Sequence, residues 1–407
     1  MRSQFLALVT SRGLASLLFV ATNILTARWA GPAVFGSMSV VIGAATFAFV
    51  LADVGLSSYV SRAEAQGERA EVAGALRLNA VTSALGAVVC VLATLAFAAA
   101  VGGGPWLIAI PLWLALDKNS DTALSVFIAR RDKLTPAVSI VLRRSVGLAA
   151  VVLLHLLGLD AVGAFALGMT ISGVVGQSHI RLSLRGAALS LPTPMRLVLR
   201  RTVPFLISNV SASARNLDVV LVGGLGGHVS AGLYAGVQRL VSPFMLIPGT
   251  VSALVLPSAS RRSGGGAARI AGRLTALHLG LTALLALVAL FAQPIVVGLL
   301  GPRFAPGAAV LVWQLLAFPF VALSSPLGGV LQSQGFEREV ARNGVLFVVV
   351  LLPAIAVGVL LYGAAGAAAA LLFTYLAKCA VLVLLVRRLL GSPRNLPAVV
   401  RRARVSP

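Results

Sequence analysis

Five consecutive polar residues, Asp117-Lys118-Asn119-Ser120-Asp121, interrupt an apolar stretch of the sequence. Asp117 and Asp121 are four residues apart and would share one face of a helix. Lys118 and Asp121 are three residues apart and could form an ion pair. In a membrane-spanning helix an ionisable side chain costs roughly 2.5–3.5 kcal/mol, so it usually faces a cavity or a partner. This stretch is therefore a candidate functional site.

A second polar group lies near position 216. It contains Arg215, Asn216 and Asp218, and the first and last of these are three residues apart. Four further charges stand inside or at the ends of apolar stretches: Arg12, Arg28, Asp53 and Arg239.

These residues allow two interpretations. In the functional one, a cavity with cationic patches binds an anionic cargo, and arginine suits phosphate oxygens in particular because its planar fork binds them bidentately. Its candidate residues are Arg215, Lys118, Arg239, Arg12, Arg28 and Asn216. In the structural one, the pairs Arg215–Asp218 and Lys118–Asp121 fix helix rotation. The candidate coupling or ion-pair residues are Asp117, Asp121, Asp218 and Asp53, of which the first two could carry a coupling proton or cation.

Catalytic and metal-binding groupings are not predicted. The four histidines are scattered, Cys90 and Cys379 lie in separate apolar runs, and no phosphate-binding loop of the Gly-x-x-x-x-Gly-Lys-Ser/Thr type occurs. A membrane glycosyltransferase would need exposed acidic residues, whereas only Asp160 lies in a predicted outer loop. We therefore expect neither an enzyme nor a cofactor or metal.

The composition indicates a membrane protein. Of 407 residues, 58% are hydrophobic and 11% are charged, against about 25% charged in soluble domains. The apolar residues form continuous runs such as 14–25, 279–291 and 345–361. Such runs favour helices, because a bilayer span needs about 20 apolar residues and a barrel strand would alternate.

We predict twelve spans, and their loops differ sharply in charge. One set of alternate loops holds 26 Lys and Arg residues, Arg143 and Arg144 among them, and the other only Arg28 and Arg303. The positive-inside rule puts the crowded set and both termini in the cytoplasm. This asymmetry accounts for the net charge of +22 without a nucleic-acid partner. The spans are 4–27, 37–60, 78–101, 106–128, 137–157, 161–180, 203–222, 232–256, 274–298, 307–332, 344–362 and 365–386.

The chain also contains an internal repeat. Gly31 and Gly36 recur as Gly227 and Gly232, with a constant offset of 196 residues. We predict an N-terminal six-helix half at 1–201, a C-terminal six-helix half at 202–390 and a basic cytoplasmic tail at 391–407. Parallel repeats suit alternating-access transporters, in which the substrate site lies between the halves.

Three ordered motifs carry a family resemblance. The first is Ala27-Arg-Trp-Ala-Gly-Pro-Ala-Val-Phe-Gly36 followed by Leu51-Ala-Asp-Val-Gly-Leu56. The second starts at Asp218 and continues through Ala231-Gly-Leu-Tyr-Ala235 to Leu256-Pro-Ser-Ala-Ser-Arg261. The third is Leu300-Gly-Pro-Arg-Phe-Ala-Pro306 with Leu331-Gln-Ser-Gln-Gly335. Together they resemble the polysaccharide transporter family, which includes O-antigen and capsule flippases, within the multidrug/oligosaccharidyl-lipid/polysaccharide exporter superfamily.

The resemblance implies an all-α polytopic fold with two six-helix pseudo-repeats around a central cavity. It implies a flippase of the bacterial inner membrane that moves a polyprenyl-diphosphate-linked oligosaccharide to the outer leaflet. Expected partners are that anionic lipid-linked oligosaccharide, membrane lipids and a polysaccharide polymerase or glycosyltransferases of the same pathway. The alternative is a cation-coupled multidrug exporter of the same superfamily. The chain is short for the family and has no extra pair of spans.

Overall fold

Regular structure in the described residues is entirely helical. The computed structural model describes residues 2–102, 104–185, 192–202, 213, 217–245, 259 and 264–390, and no strand occurs among them. The predicted tail 391–407, the residues Arg215 and Asn216, and most of the predicted span 203–222 lie outside these residues.

The first helices pack into one compact unit, Met1–Gly223. Residues 195–202 are also helical. The unit contains α1 (Arg2–Asp53), α2 (Leu56–Ala65), α3 (Arg69–Val101), α4 (Ala109–Ala129), α5 (Leu134–Leu156) and α6 (Ala161–Arg185).

A second compact unit, Gly224–Pro407, follows. Its core lies between α8, α10 and α11 and is formed by aliphatic side chains such as Leu327, Val330 and Leu382. Its helices are α8 (Gly264–Ala289), α9 (Ala292–Leu300), α10 (Ala308–Gln332) and α11 (Glu337–Leu390), while α7 (Asp218–Val241) begins in the first unit and ends in the second. The predicted division at 201/202 remains a prediction.

The multi-pass character of the chain is confirmed. Within the described ranges, eight helical stretches are long and apolar enough to cross a bilayer. Two of them have 45 and 54 residues, and at about 1.5 Å per residue each is long enough to cross a ~30 Å core twice. Large apolar side chains point outward along these helices, for example Leu85 at 62% and Leu384 at 62% exposure.

Single glycines break two helices at equivalent positions. Gly31 in α1 has φ 74° and ψ 170°, and Gly227 in α7 has φ 79° and ψ 171°. This backbone region is open essentially to glycine alone. Met38 and Tyr234, which lie seven residues after each break, are both fully buried. The matching conformations at an offset of 196 residues support the predicted internal repeat.

The predicted end of the second span was wrong. That span was placed at 37–60, but α1 ends at Asp53 and the backbone turns at Val54 (φ 48°) and Gly55 (φ 79°). The positive φ values stop the helix, because right-handed helix needs negative φ. The separate helix α2 follows, and its Leu56, Tyr59, Val60 and Ala63 are buried against α3 and residue Val198.

The long helix α11 is also broken, at Tyr362 and Gly363. A Cβ atom on Gly358 or Gly366 would collide with the backbone of the other residue. The two halves of α11 therefore pack closely around this break, which falls in the predicted outer loop Tyr362–Ala364.

Candidate functional site

Helix α4 carries a run of polar side chains, Asp117 to Thr122, that reach out in every direction. Successive helical residues project about 100° apart, and α4 contacts each of α1, α2, α3, α5 and α6. The six side chains therefore meet different neighbours. We call this run and its partners the α4 hub.

The two aspartates face α5 together, as their spacing predicted. The guanidinium of Arg143 donates from Nη1 to Asp117 Oδ1 at 2.5 Å and from Nη2 to Asp121 Oδ1 at 2.6 Å. Arg144 Nη2 donates to Asp117 Oδ2 at 2.9 Å. Arg143 is only 2% exposed, and its planar fork spans the single helical turn between the two carboxylates.

Lys118 and Thr122 face the junction of α1 and α2. Lys118 Nζ lies 3.2 Å from Asp53 Oδ1 and 3.3 Å from Ser57 Oγ. The Thr122 hydroxyl donates to Asp53 Oδ1 at 3.1 Å. Asp53, the last residue of α1, is 2% exposed. The turn at Val54 and Gly55 thus places a buried carboxylate against α4.

The remaining two side chains bind α3 and α6. Asn79 of α3 donates from Nδ2 to Asn119 Oδ1 at 2.6 Å. The Ser120 hydroxyl donates to Gln177 Oε1 of α6 at 3.0 Å. These neutral bonds fix the rotation of α4 on the two sides that carry no charge.

The hub balances its charges but does not bury them equally. It contains three carboxylates (Asp53, Asp117, Asp121) and three cations (Lys118, Arg143, Arg144), so its formal charge is zero. Side-chain exposure is 53% for Asp121, 25% for Lys118 and 19% for Arg144, against 1% for Asp53 and 3% for Arg143. Three ionic groups are therefore accessible, and the others hold them in position.

Two sequence predictions about this hub were wrong. The pair Lys118–Asp121 does not form, because Lys118 turns to Asp53 and Asp121 turns to Arg143. Arg143 and Arg144 were assigned to a cytoplasmic loop, but both lie inside α5. Their position inside the predicted span 137–157 was the signal for this placement, together with two carboxylates that needed a counter-charge.

The other predicted site residues are dispersed. Arg12 and Arg28 are exposed on α1, and Arg28 lies three residues before the break at Gly31. Asp218 is 1% exposed at the start of α7, where its Oδ1 accepts the backbone N–H of Val219 at 2.7 Å. Arg239 is partly buried on the same helix. The predicted pair Arg215–Asp218 cannot be described, since Arg215 lies outside the described residues.

Aromatic rings border the hub on the side of Arg144. Its guanidinium carbon lies 4.9 Å from the ring centroid of Phe19, which packs 6.1 Å from the Trp113 ring. Trp113 also meets Phe165 edge-on at 5.7 Å. A cation over an aromatic face is attracted by the ring quadrupole, so these rings stabilise the position of the Arg144 guanidinium.

The fold is that of the MOP-superfamily transporters. A lipid II flippase, MurJ, in an inward closed conformation has a TM-score of 0.69 at 12% identity, over 93% of this chain and 87% of that chain. An inward-facing multidrug resistance MATE family transporter has a TM-score of 0.65 at 15% identity, over 98% and 96% of the two chains. A MOP superfamily transporter from Pyrococcus furiosus, described as having a binding pocket of reverse polarity, has a TM-score of 0.62 at 15% identity, over 95% of both chains.

The sequence assigns the family more narrowly. The model of the polysaccharide biosynthesis protein family matches residues 2–261, and the chain belongs to this family. A comparison with curated protein sequences gives no match. The protein is thus a multi-pass membrane protein of the polysaccharide biosynthesis family with a MOP transporter fold.

Proposed function

We propose that the protein is a flippase that moves a polyprenyl-diphosphate-linked oligosaccharide from the inner to the outer leaflet by alternating access. The observation that carries the proposal is membership of a polysaccharide biosynthesis family in a chain with a transporter fold. A diphosphate and its sugars cannot cross hydrocarbon unaided, because their desolvation is too costly. A polysaccharide pathway that starts from such a precursor therefore needs a transporter, and we expect no enzymatic activity.

The accessible cations of the α4 hub suit a phosphate ligand. Lys118 has three donor positions and contacts Asp53 and Ser57. Arg144 uses Nη2 for Asp117, while its Nη1 is buried and makes no hydrogen bond to the described residues. Lys118 could therefore add a phosphate oxygen without leaving Asp53, whereas the Arg144 side chain would first have to expose Nη1. Arg215, Arg239, Arg12, Arg28 and Asn216 remain proposed substrate-binding residues.

Reconstituted proteoliposomes test this role. We expect Arg144→Gln and Lys118→Gln to slow flipping of a fluorescent polyprenyl-diphosphate sugar about tenfold or more, because a charge-assisted hydrogen bond contributes ~1.5–3 kcal/mol. Arg342→Gln is the matched control, since the Arg342 side chain is exposed and, among the described residues, pairs with Glu339 on the same helix. Unchanged flipping in both hub variants would contradict the cationic role.

A purely structural role of Arg144 can be separated by neutralising its pair. The double variant Asp117→Asn/Arg144→Gln removes both charges of that contact. We expect it to recover much of the thermal stability lost in Arg144→Gln while flipping stays slow. If flipping recovers together with stability, Arg144 acts only on the fold.

The multidrug-exporter alternative also has support. The MATE transporter aligns over nearly its whole length with this chain, and the side chain of Asp121 is 53% exposed, as a group binding a cationic drug or a proton would be. Gene deletion distinguishes the two functions. Accumulation of lipid-linked sugars in the inner leaflet supports the flippase, whereas unchanged sugar lipids with higher sensitivity to cationic dyes support the exporter.

We further propose a location in the bacterial inner membrane with both termini in the cytoplasm. The charge difference between alternate loops supports this orientation. A polysaccharide polymerase or glycosyltransferases of the same pathway are the expected partners.

A further inference from the structure

A groove of about 290 Å³ opens on the second unit between α8, α10 and α11. On α8 it is lined by the small residues Ala268, Ala271, Gly272, Thr275 and Ala276. These positions recur every three or four residues, so they form one stripe of the helix. The opposite wall consists of Leu327 on α10 and Val383 and Val386 on α11, and Arg387 is the last lining residue of α11.

The depth of the groove is not required for packing inside the unit. A Cβ atom added to Gly272 would meet no heavy atom within 4 Å. Glycine inside a helix costs about 1 kcal/mol relative to alanine, yet here no neighbouring backbone or side chain makes use of the missing methyl group. No described residue therefore fills the groove, which leaves room for a ligand.

The length of the groove corresponds to one membrane leaflet. Its lining on α8 runs from Ala268 to Leu279. At 1.5 Å per residue this is about 16 Å, roughly half of the ~30 Å hydrocarbon core. A single extended acyl chain has the apolar character and the reach to fill it.

One end of the groove is positively charged. Arg387 belongs to the lining, and Arg269 is exposed on α8 next to Ala268, the first lining residue of that helix. The sequence of α8 contains no Asp or Glu, and neither does the second half of α11 from residue 364 to 390. Arginine binds phosphate oxygens through a planar fork of donors, so this end suits an anionic headgroup.

We propose that the groove binds an anionic phospholipid, with one acyl chain along the small residues of α8 and the phosphate at Arg387. Under the orientation expected from the loop charges, the lipid belongs to the inner leaflet. None of its lining residues is among those proposed for the cargo, and the site does not depend on whether the cargo is a sugar lipid or a drug.

Native mass spectrometry of the full-length protein tests the site, with phosphatidylglycerol and phosphatidylcholine of equal chain length added in detergent. For each arginine that contacts the headgroup, we expect the protein to retain phosphatidylglycerol about fivefold better than phosphatidylcholine. Arg387→Gln should reduce this preference while some binding of both lipids persists. Gly272→Leu should abolish retention of both lipids, because its side chain enters open space in the groove. Gly272→Ala should have an intermediate effect on retention, with thermal stability unchanged or raised because alanine favours a helix over glycine.

A second apolar groove provides the matched control. It has about 450 Å³ between α1 and α5, and its lining contains Leu18 and Ala149 but no ionisable side chain. Ala149→Leu should leave the phosphatidylglycerol adducts unchanged. Equal retention of the two lipids by the wild type, full adducts in Gly272→Leu, or binding of a polyprenyl phosphate but not of phosphatidylglycerol would each overturn the proposal.

Discussion

Arg143 is the residue on which the α4 hub depends most. Its guanidinium joins two carboxylates of α4 and is almost fully buried. The sequence predicted that Asp117 and Asp121 share a face, because helical spacing fixes which side chains align. It did not predict their partner, since the choice between loop and span for Arg143 depends on where α5 begins relative to the membrane.

Neutralising Arg143 should strongly destabilise the protein. Removing one member of a buried ion pair leaves the other charge uncompensated and costs about 3–5 kcal/mol. We expect Arg143→Met to lower the thermal unfolding midpoint in detergent clearly, and Arg342→Met, which breaks an exposed pair, to leave it nearly unchanged. Equal midpoints for the two variants would show that the pair contributes little.

Asp132 in the loop before α5 should give a pH-dependent contribution to stability. Partial burial raises the pKa of its carboxyl, but hydrogen bonds from Thr135 and the Leu134 backbone N–H outweigh this and lower the pKa overall. A lowered pKa in the folded state means that the contribution is present above the unfolded pKa of about 3.9 and is lost as the pH falls through the lower folded pKa.

The variant Asp132→Ala should therefore cost about 1 kcal/mol at pH 7, as for other helix-capping carboxylates. Unfolding at pH 7 and near pH 3 measures the difference. The gap between variant and wild type should shrink in acid, and a constant gap would contradict the capping role.

At the scale of the helix, the sequence predicted where the glycine breaks lie but not the backbone conformation at each break. The repeat placed Gly31 and Gly227 between spans, whereas the chain changes direction there within a single residue of otherwise helical backbone. Sequence periodicity cannot show this, because helical residues on both sides of the break leave no polar loop. The end of α1 at Asp53 was missed for a similar reason, since apolar residues continue into α2.

Substitutions at two nearby glycines of α7 distinguish the effect of backbone conformation on stability from the effect of packing. A Cβ atom on Gly224 or on Gly227 would meet nothing within 4 Å, but only Gly227 has positive φ. We expect Gly227→Ala to destabilise the protein by ~1–3 kcal/mol. Gly224→Ala should be neutral or stabilising by up to about 1 kcal/mol. Thermal unfolding measures the stability of both variants. If Gly224→Ala loses as much stability as Gly227→Ala, the backbone conformation at Gly227 is not the cause of the loss.

For the whole molecule, composition and the long apolar runs were enough to predict an all-α multi-pass fold, and the recurring glycine spacing predicted the internal repeat. Those signals are strong because the bilayer demands long apolar helices. The pairing of charges inside the first unit was not predictable from them, since it depends on which helices become neighbours in three dimensions.

The proposed transport should depend on membrane potential. One charge crossing 100 mV gains about 2.3 kcal/mol, so a diphosphate with two charges leaving a negative interior gains about 4–5 kcal/mol. We expect outward flipping in valinomycin-clamped liposomes to rise when the interior is negative. Equal flipping rates with and without a potential would exclude the membrane potential as a driving force. A proton or cation gradient would then be tested in its place.

The polar run of α4 also has a consequence for biogenesis. Three charges within five residues cost several kcal/mol on insertion scales, and the described α4 is absent from the stretches apolar enough to span by themselves. The counter-charges of its two aspartates arrive later, with Arg143 and Arg144 of α5. We therefore expect α4 alone to fail in a translocon insertion reporter and the α4–α5 hairpin to integrate, so that the nascent chain enters the lipid in pairs of helices.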